Sequence, residues 1–191
     1  ILREKVKDLE TKDYNSEFIL AENERLKETL NELNFSSNEI LAKVIVDKQS
    51  PFLKSIIVNK GSKHGAELGM AVLDKEYLVG KIVELNFTTS RVLLLSDLNS
   101  KIPVDILPNN IQSILSGTGK ENGKIQYVKE ETLIENENKV FTSGAGGIFK
   151  PGIPIGEIDK KQSNLDINVS FFSDFSQLRF VKLRSFSPEE N

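Results

Sequence analysis

Two hydrophobic periods divide the chain. Residues 1–41 contain no Gly and no Pro, and their apolar positions recur at helical spacing. Ile19, Asn23, Leu26, Leu30, Leu33, Ser37 and Ile40 step by four and three, which is a heptad seam. Leu2, Val6, Leu9 and Leu20 fit a 3.5-residue repeat in another phase, so a stutter or break is expected near Asn15–Phe18. Glu4, Lys7, Asp8, Glu17, Glu22, Glu24, Arg25 and Glu28 clothe the other faces. At 1.5 Å per residue such a helix is about 50–60 Å long, too long to pack entirely on a domain of this size. A coiled-coil dimer is the expected arrangement, with a single helix folded onto its own domain as the alternative. Ile19, Asn23, Leu26, Leu30 and Leu33 are assigned to dimerisation, Asn23 as a polar register device. The run Asn34-Phe35-Ser36-Ser37-Asn38 loosens or ends the helix.

From Ala42 the period changes. Short apolar runs rich in Ile, Val, Leu and Phe alternate with turn residues, the pattern of half-buried strands. Strands are expected near Ala42–Asp47, Ser55–Asn59, Met70–Leu73, Tyr77–Leu85, Arg91–Leu95, Ile102–Leu107, Gln112–Leu115, Lys124–Val128, Lys139–Thr142, Ile153–Asp159, Leu165–Phe172 and Arg179–Leu183. Turn chemistry separates them at 59–65, 74–76, 108–110, 117–119 and 121–123. A dozen short strands without intervening helices imply antiparallel sheets, in a sandwich or in barrels. Alternation is clean at 124–128 and 165–169. Val92-Leu93-Leu94-Leu95 is apolar on both faces and belongs in a core. A boundary near 100–110 yields the expected division: coiled-coil helix 1–41, β-domain 42–105, β-domain 106–185 and tail 186–191. Whether the last strands close the second domain or return to the first stays open.

Charge reinforces that division. The chain carries 25 Lys and Arg against 28 Asp and Glu. Ten of the acidic residues and only six of the basic ones fall within residues 1–41. The rest is nearly neutral, with no basic field for nucleic acid. With no Cys, disulfides, thiol catalysis and thiolate metal sites are excluded. No run of about 18 apolar residues occurs that would span a membrane. Starting at Ile1 inside a charged helical pattern, the sequence is expected to continue from an upstream segment, and an anchor there would lie outside it.

The densest cluster of special residues is Thr142–Gly156, TSGAGGIFKPGIPIG. It fails GxGxxG because Phe149 stands where the last Gly belongs, and no helix follows to hold a pyrophosphate. Gly119-Lys120 resembles the end of a P-loop, but Ile114 replaces its first Gly and Glu121 its Ser/Thr. His64 is the only histidine. A triad would pair it with Ser143 or Ser116, yet it lies in a polar turn and no GxSxG elbow surrounds either serine. Asp97, Asp105 and Asp159 are scattered, and Glu130-Glu131 and Glu135-Glu137 read as solvated loop charge. Neither a cofactor nor a metal site is expected. Gly61, Gly65, Gly69, Gly80, Gly144, Gly147, Gly152 and Gly156 are read as structural, permitting tight turns and close strand crossings, with Phe149 and Ile153 as hydrophobic plugs. Phe171, Phe172 and Phe175 are the candidate partner surface. Phe171 and Phe172 point opposite ways along a strand, one into the core and the other toward a neighbouring domain or a partner. The alternative buries both between barrels.

These pieces, in this order, resemble the MreC family of bacterial rod-shape-determining proteins. The resemblance is carried by the coiled-coil helix, Ile56-Ile57-Val58-Asn59-Lys60-Gly61-Ser62 through Gly65 and Gly69-Met70, and Leu78-Val79-Gly80-Lys81-Ile82. Arg91-Val92-Leu93-Leu94-Leu95-Ser96-Asp97, Ile102-Pro103-Val104 and TSGAGGIFKPGIPIGEI complete it. Lys150-Pro151 departs from the family, which more often has Pro directly after the Phe. The resemblance implies a mainly β protein: an N-terminal coiled-coil helix, then two small antiparallel barrels of the chymotrypsin-like half-barrel type without a catalytic triad. It also implies a non-enzymatic scaffold of cell elongation on the periplasmic or extracytoplasmic face, held by an upstream anchor in the cytoplasmic membrane. The implied partners are a homodimer or longer self-assembly, the elongation-specific penicillin-binding transpeptidase, MreD, MreB and RodZ. A trypsin-like hydrolase and a periplasmic adaptor protein are the competing readings.

Overall fold

Strand pairing closes two separate six-stranded barrels. The computed structural model describes residues 19–23, 39–49, 54–128, 134–160 and 167–185. In chain order the strands are β1 (Glu39–Gln49), β2 (Lys54–Val58), β3 (Ala71–Asp74), β4 (Tyr77–Leu85), β5 (Ser90–Leu94), β6 (Lys101–Leu107), β7 (Ile111–Gly117), β8 (Asn122–Gln126), β9 (Lys139–Thr142), β10 (Pro154–Asp159), β11 (Asn168–Phe171) and β12 (Phe180–Arg184). The first barrel runs β1-β12-β3-β4-β5-β2, and the second β10-β11-β8-β7-β6-β9. All their pairings are antiparallel. Closure leaves no free strand edge, which removes the aggregation hazard of an open sheet.

Two expectations need adjustment. The division at 105/106 falls inside β6, which pairs along its length with β7 and β9 of the second barrel. The chain therefore crosses between barrels in the turn before Lys101, and β12 returns to close the first barrel against β1 and β3. Ile40 is not the end of the helical seam either. It lies in β1 opposite Leu183 and packs against the first barrel's core. A strand partner on β12 and an apolar interior outweigh a helical spacing that reaches Ile40 by period alone.

The two barrels are copies of one pattern. Following the hydrogen-bonded neighbours, the second barrel reads β6-β7-β8-β11-β10-β9. The first gives the same cycle when β12 takes the place of its first strand: β12-β1-β2-β5-β4-β3. The sequence repeats with it. Leu78-Val79-Gly80-Lys81-Ile82 answers to Pro154-Ile155-Gly156-Glu157-Ile158, and Arg91-Val92-Leu93-Leu94-Leu95-Ser96-Asp97 to Asn168-Val169-Ser170-Phe171-Phe172-Ser173-Asp174. Registers agree: Gly80 faces Leu94 and Ile82 faces Val92, as Gly156 faces Phe171 and Ile158 faces Val169. After each Ser-Asp the chain leaves its barrel and supplies the first strand of the other.

Alternation along the strands fills both interiors. Ala42, Ile56, Val58, Val72, Val79, Ile82, Val92, Val181 and Leu183 form the first core. A larger cluster joins Ile102, Val104, Ile106, Leu115, Val140, Ile155, Ile158 and Val169 of the second barrel to Ala71, Leu73, Leu78 and Leu95. The apolar interior thus continues across the barrel boundary. Each fully buried Leu or Ile contributes about 1.5–3 kcal/mol, so Leu73 and Leu78, both 0% exposed, bind the two barrels together strongly. Residues 1–37 form a separate unit, in which 19–23 are helical.

Candidate functional site

The barrel junction gathers the aromatic residues singled out in the sequence. Phe171 ends β11, Phe172 follows it, and Phe175 sits in the turn toward β12. Phe171 stacks on Phe175 with ring centres 4.9 Å apart and 26° between planes. Phe175 packs against both cores. Phe172 points the other way, its ring 5.1 Å from Tyr77 of the first barrel and 5.3 Å from the Lys139 ammonium. All three are half-buried. They join the barrels while keeping one side toward solvent.

Behind them, Thr142 clips the glycine-rich loop shut. Its buried hydroxyl donates to the Lys150 carbonyl at 2.7 Å and accepts the Ile153 N–H at 2.9 Å. Its backbone carbonyl accepts the Gly152 N–H at 2.8 Å. Gly144, Gly147 and Gly152 take φ of 75°, 66° and 88°, the left-handed region that favours Gly. Phe149 and Ile153 are buried in the larger core. Gly65 and Gly69 have φ of 83° and 85° in the β2–β3 connection. Gly61, Gly80 and Gly156 instead mark close approaches. A Cβ on Gly61 would sit 2.3 Å from the Asn86 carbonyl oxygen; on Gly80 or Gly156 it would sit 2.2 Å from that of Leu93 or Ser170. Among the described residues, His64, Ser143 and Ser116 each hydrogen-bond within their own local structure. His64 Nδ1 accepts the Gly61 N–H at 3.1 Å inside its own turn. Ser143 Oγ accepts the Ala145 N–H, and Ser116 donates to Gln126. Desolvation, then the nearby Lys60 and Lys63 charges, hold the His64 imidazole below its ordinary pKa.

Of the dimerisation residues, Ile19 and Asn23 lie exposed on the described helical turn. Leu26, Leu30 and Leu33 lie outside the described residues. Three features escaped the sequence reading. Asp97 is 1% exposed, and its carboxylate accepts the backbone N–H groups of Lys54 and Asn99, each at 2.7 Å. Gly117 lets β7 approach the turn after β5, since a Cβ there would lie 2.0 Å from the Asp97 carbonyl oxygen. Lys182, 1% exposed, bridges Glu76 at 2.6 Å and Glu39 at 3.8 Å, with Arg184 on the same two carboxylates. Among the described residues no helix is long and apolar enough to cross a membrane.

A family model described as the rod shape-determining protein MreC, barrel core, matches residues 44–184, spanning both barrels. The chain belongs to the MreC family. A cell shape-determining protein MreC of Caulobacter vibrioides is 34% identical over 163 residues, covering 77% of this chain and 47% of that protein. The chain thus spans about half the length of that MreC relative. A solved MreC structure superposes with a TM-score of 0.75 at 29% identity, covering 87% of this chain and 99% of that one. An MreC from Helicobacter pylori, solved in a complex with a penicillin-binding protein (PBP2), shares the fold at 16% identity, with a TM-score of 0.58 over 77% of this chain and 98% of that one. MreC proteins are named for cell shape rather than for a reaction.

Proposed function

We propose that this chain is the barrel-bearing part of a non-enzymatic scaffold of the cell-elongation machinery, controlling rod shape by binding and activating peptidoglycan synthases. The observation that carries this reading is the match of the MreC barrel core to residues 44–184. The barrel fold shared with the Helicobacter pylori MreC, solved with its penicillin-binding protein, supports a transpeptidase of that class as partner. The solvent-facing sides of Phe171, Phe172 and Phe175 supply an apolar part of the partner surface. Activation requires better contact with the active transpeptidase than with its resting form. The reading places the barrels on the extracytoplasmic face, below an anchor upstream of Ile1. Ile19, Asn23, Leu26, Leu30 and Leu33 pair two copies. MreD, MreB and RodZ complete the assembly in this reading.

Photocrosslinking tests it. A crosslinker placed at Ser170, Ser176 or Tyr127 on the barrels is incubated with the ectodomain of the elongation-specific penicillin-binding transpeptidase. A crosslink from at least one barrel position, competed by unlabelled chain, is the expected result. Absence of any barrel crosslink, with binding confined to residues 1–37, overturns the proposal.

A further inference from the structure

Three of the sixteen asparagines in the chain have Ser or Thr two residues on with no Pro between: Asn34, Asn86 and Asn168. That tripeptide is the acceptor sequence of N-linked glycosylation, and alone it is a weak signal, because so short a pattern arises readily by chance. All three also carry an acid two residues earlier: Glu32, Glu84 and Asp166. Of the remaining thirteen asparagines only Asn15, Asn99 and Asn191 do. Acid, asparagine and hydroxyl residue thus recur as one five-residue pattern. Two of its copies read Glu-Leu-Asn-Phe, followed by Ser-Ser in one and Thr-Thr in the other.

The fold decides which copy an enzyme reaches. Asn168 opens β11, paired with Asp159 on one side and Lys124 on the other, so its backbone is committed to the sheet. Asn34 lies outside the described residues. Asn86 stands at the tip of the β4–β5 hairpin, after Leu85 ends one strand and before Ser90 begins the next. Asn86, Phe87 and Thr88 are all exposed. Among the described residues, nothing hydrogen-bonds the Asn86 carboxamide or the Thr88 hydroxyl. The tip is nonetheless held in place, since the Ser62 and Lys63 N–H groups donate to the Asn86 and Phe87 carbonyls at 3.0 and 3.1 Å. Glu84 is exposed as well, and its carboxylate pairs with Arg91 at 2.7 Å. A surface pair of that kind adds little stability, so a cation on an approaching enzyme can take the place of Arg91. The acceptor nitrogen is thereby presented between a charged contact and a hydroxyl contact, both open to solvent.

We propose that Asn86 is N-glycosylated by a transferase that reads Glu84 and Thr88 on either side of it. In the step, Asn86 Nδ2 attacks the anomeric carbon of a sugar carried on a polyprenyl diphosphate. The C–N bond forms as the bond from that carbon to the diphosphate oxygen breaks. The Nδ2 proton passes to a base on the transferase, the polyprenyl diphosphate leaves, and nothing is oxidised or reduced. This rests on the reading that the barrels lie on the extracytoplasmic face, where the transfer would take place.

The full-length protein is purified from its own cells and digested with trypsin, and the peptide Ile82–Arg91 is analysed by mass spectrometry. A saccharide mass located on Asn86 is expected. Asn86→Gln and Thr88→Ala should each abolish it, Thr88→Ser should keep it, and Glu84→Gln should lower the modified fraction about tenfold. A separate variant, Ser170→Cys at an exposed position, reports location: spheroplasts are treated with a membrane-impermeant maleimide, and labelling is read on the tryptic peptide that contains residue 170. Labelling in spheroplasts with an unmodified 82–91 peptide overturns this proposal alone. Labelling only after lysis overturns the extracytoplasmic reading and this proposal with it. Full modification of Glu84→Gln, or a saccharide on a residue of the peptide other than Asn86, equally overturns it.

Discussion

Removing one ammonium tests how the first barrel is held closed. Lys182 lies on β12, the strand contributed from the far end of the chain. Its Nζ is 2.6 Å from Glu76, in the β3–β4 turn, and 3.8 Å from Glu39 at the start of β1. One cation thus joins three parts of the barrel. The Lys182 and Glu39 side chains are each 1% exposed. Arg184 covers one Glu39 oxygen, and the other, Oε2, has no hydrogen bond and relies on the Lys182 charge. Lys182→Met keeps the length and the apolar stem but leaves that oxygen buried without its cation. Breaking a buried ion pair costs about 3–5 kcal/mol. Arg184 remains, and the Glu76 side chain, 63% exposed, can turn to water, so the low end, about 3 kcal/mol, is expected. At a urea slope of about 2 kcal/mol/M the midpoint falls by about 1.5 M. Combining Lys182→Met with Glu39→Gln removes the stranded charge and should recover most of the loss. Urea titrations followed by far-ultraviolet circular dichroism and by tyrosine fluorescence measure this, with coincident curves checking two-state behaviour. A single variant within about 0.5 kcal/mol of the parent, less than the usual cost of breaking such a pair, would refute the argument. So would a double variant that loses the full sum.

Acid should weaken the same cluster. The hydrogen bond from Lys182, then the Lys182 and Arg184 charges, outweigh desolvation and hold the Glu76 carboxyl below its ordinary value near 4.5. Its contribution is therefore present above that value and lost as pH falls through the lowered one; Glu76→Gln should flatten this part of the urea-midpoint profile between neutral and acid pH. Gly80→Ala and Gly156→Ala each place a Cβ 2.2 Å from a carbonyl oxygen of the neighbouring strand, and each should cost about 3 kcal/mol or more. Gly152→Ala, at φ 88° with nothing within 4 Å of its Cβ, should cost about 1 kcal/mol, so thermal melts should rank the three. Leu30→Asp, on the heptad seam, should make the chain monomeric by sedimentation while its β circular-dichroism signal persists; a surviving dimer would move association to the barrels.

What the sequence disclosed follows from which signals are local. Alternation and turn residues marked the strands, because a strand with one buried face must alternate. The Thr142–Gly156 loop was readable because positive φ and a plugging Phe149 select residue types directly. The division of the barrels was not. Phe180–Arg184 has the same alternation whichever barrel it closes, and only the partners Leu41 and Val72, far back in the chain, decide it. The burial of Lys182 and Glu39 was illegible for the same reason, since it depends on pairing residues far apart in the chain. Ser173 and Asp174 were hidden in plain text. Comparison with Ser96 and Asp97 would have exposed the repeat, but only three of the seven paired residues in that segment are identical.

The repeat also explains why the junction, rather than either barrel alone, is the place to look for function. If each barrel used only its own consecutive strands, the two would be beads on a linker, free to reorient. Here each barrel takes its first strand from the chain leaving the other. The two crossing turns, 95–100 and 172–179, therefore lie where the barrels touch. At the start of each crossing one hydrogen bond extends the strand pair of the barrel being left: Leu95 N–H to the Val79 carbonyl and Phe172 N–H to the Ile155 carbonyl, at 3.0 and 3.1 Å. With Leu73 and Leu78 buried and Phe175 packed against both cores across the same boundary, separating the barrels would expose apolar core and strain both crossings together. A partner or ligand at this junction accordingly meets a preorganised surface and spends little of its binding energy on ordering it. The exchange of strands thus gives a structural reason for two small barrels to behave as one unit.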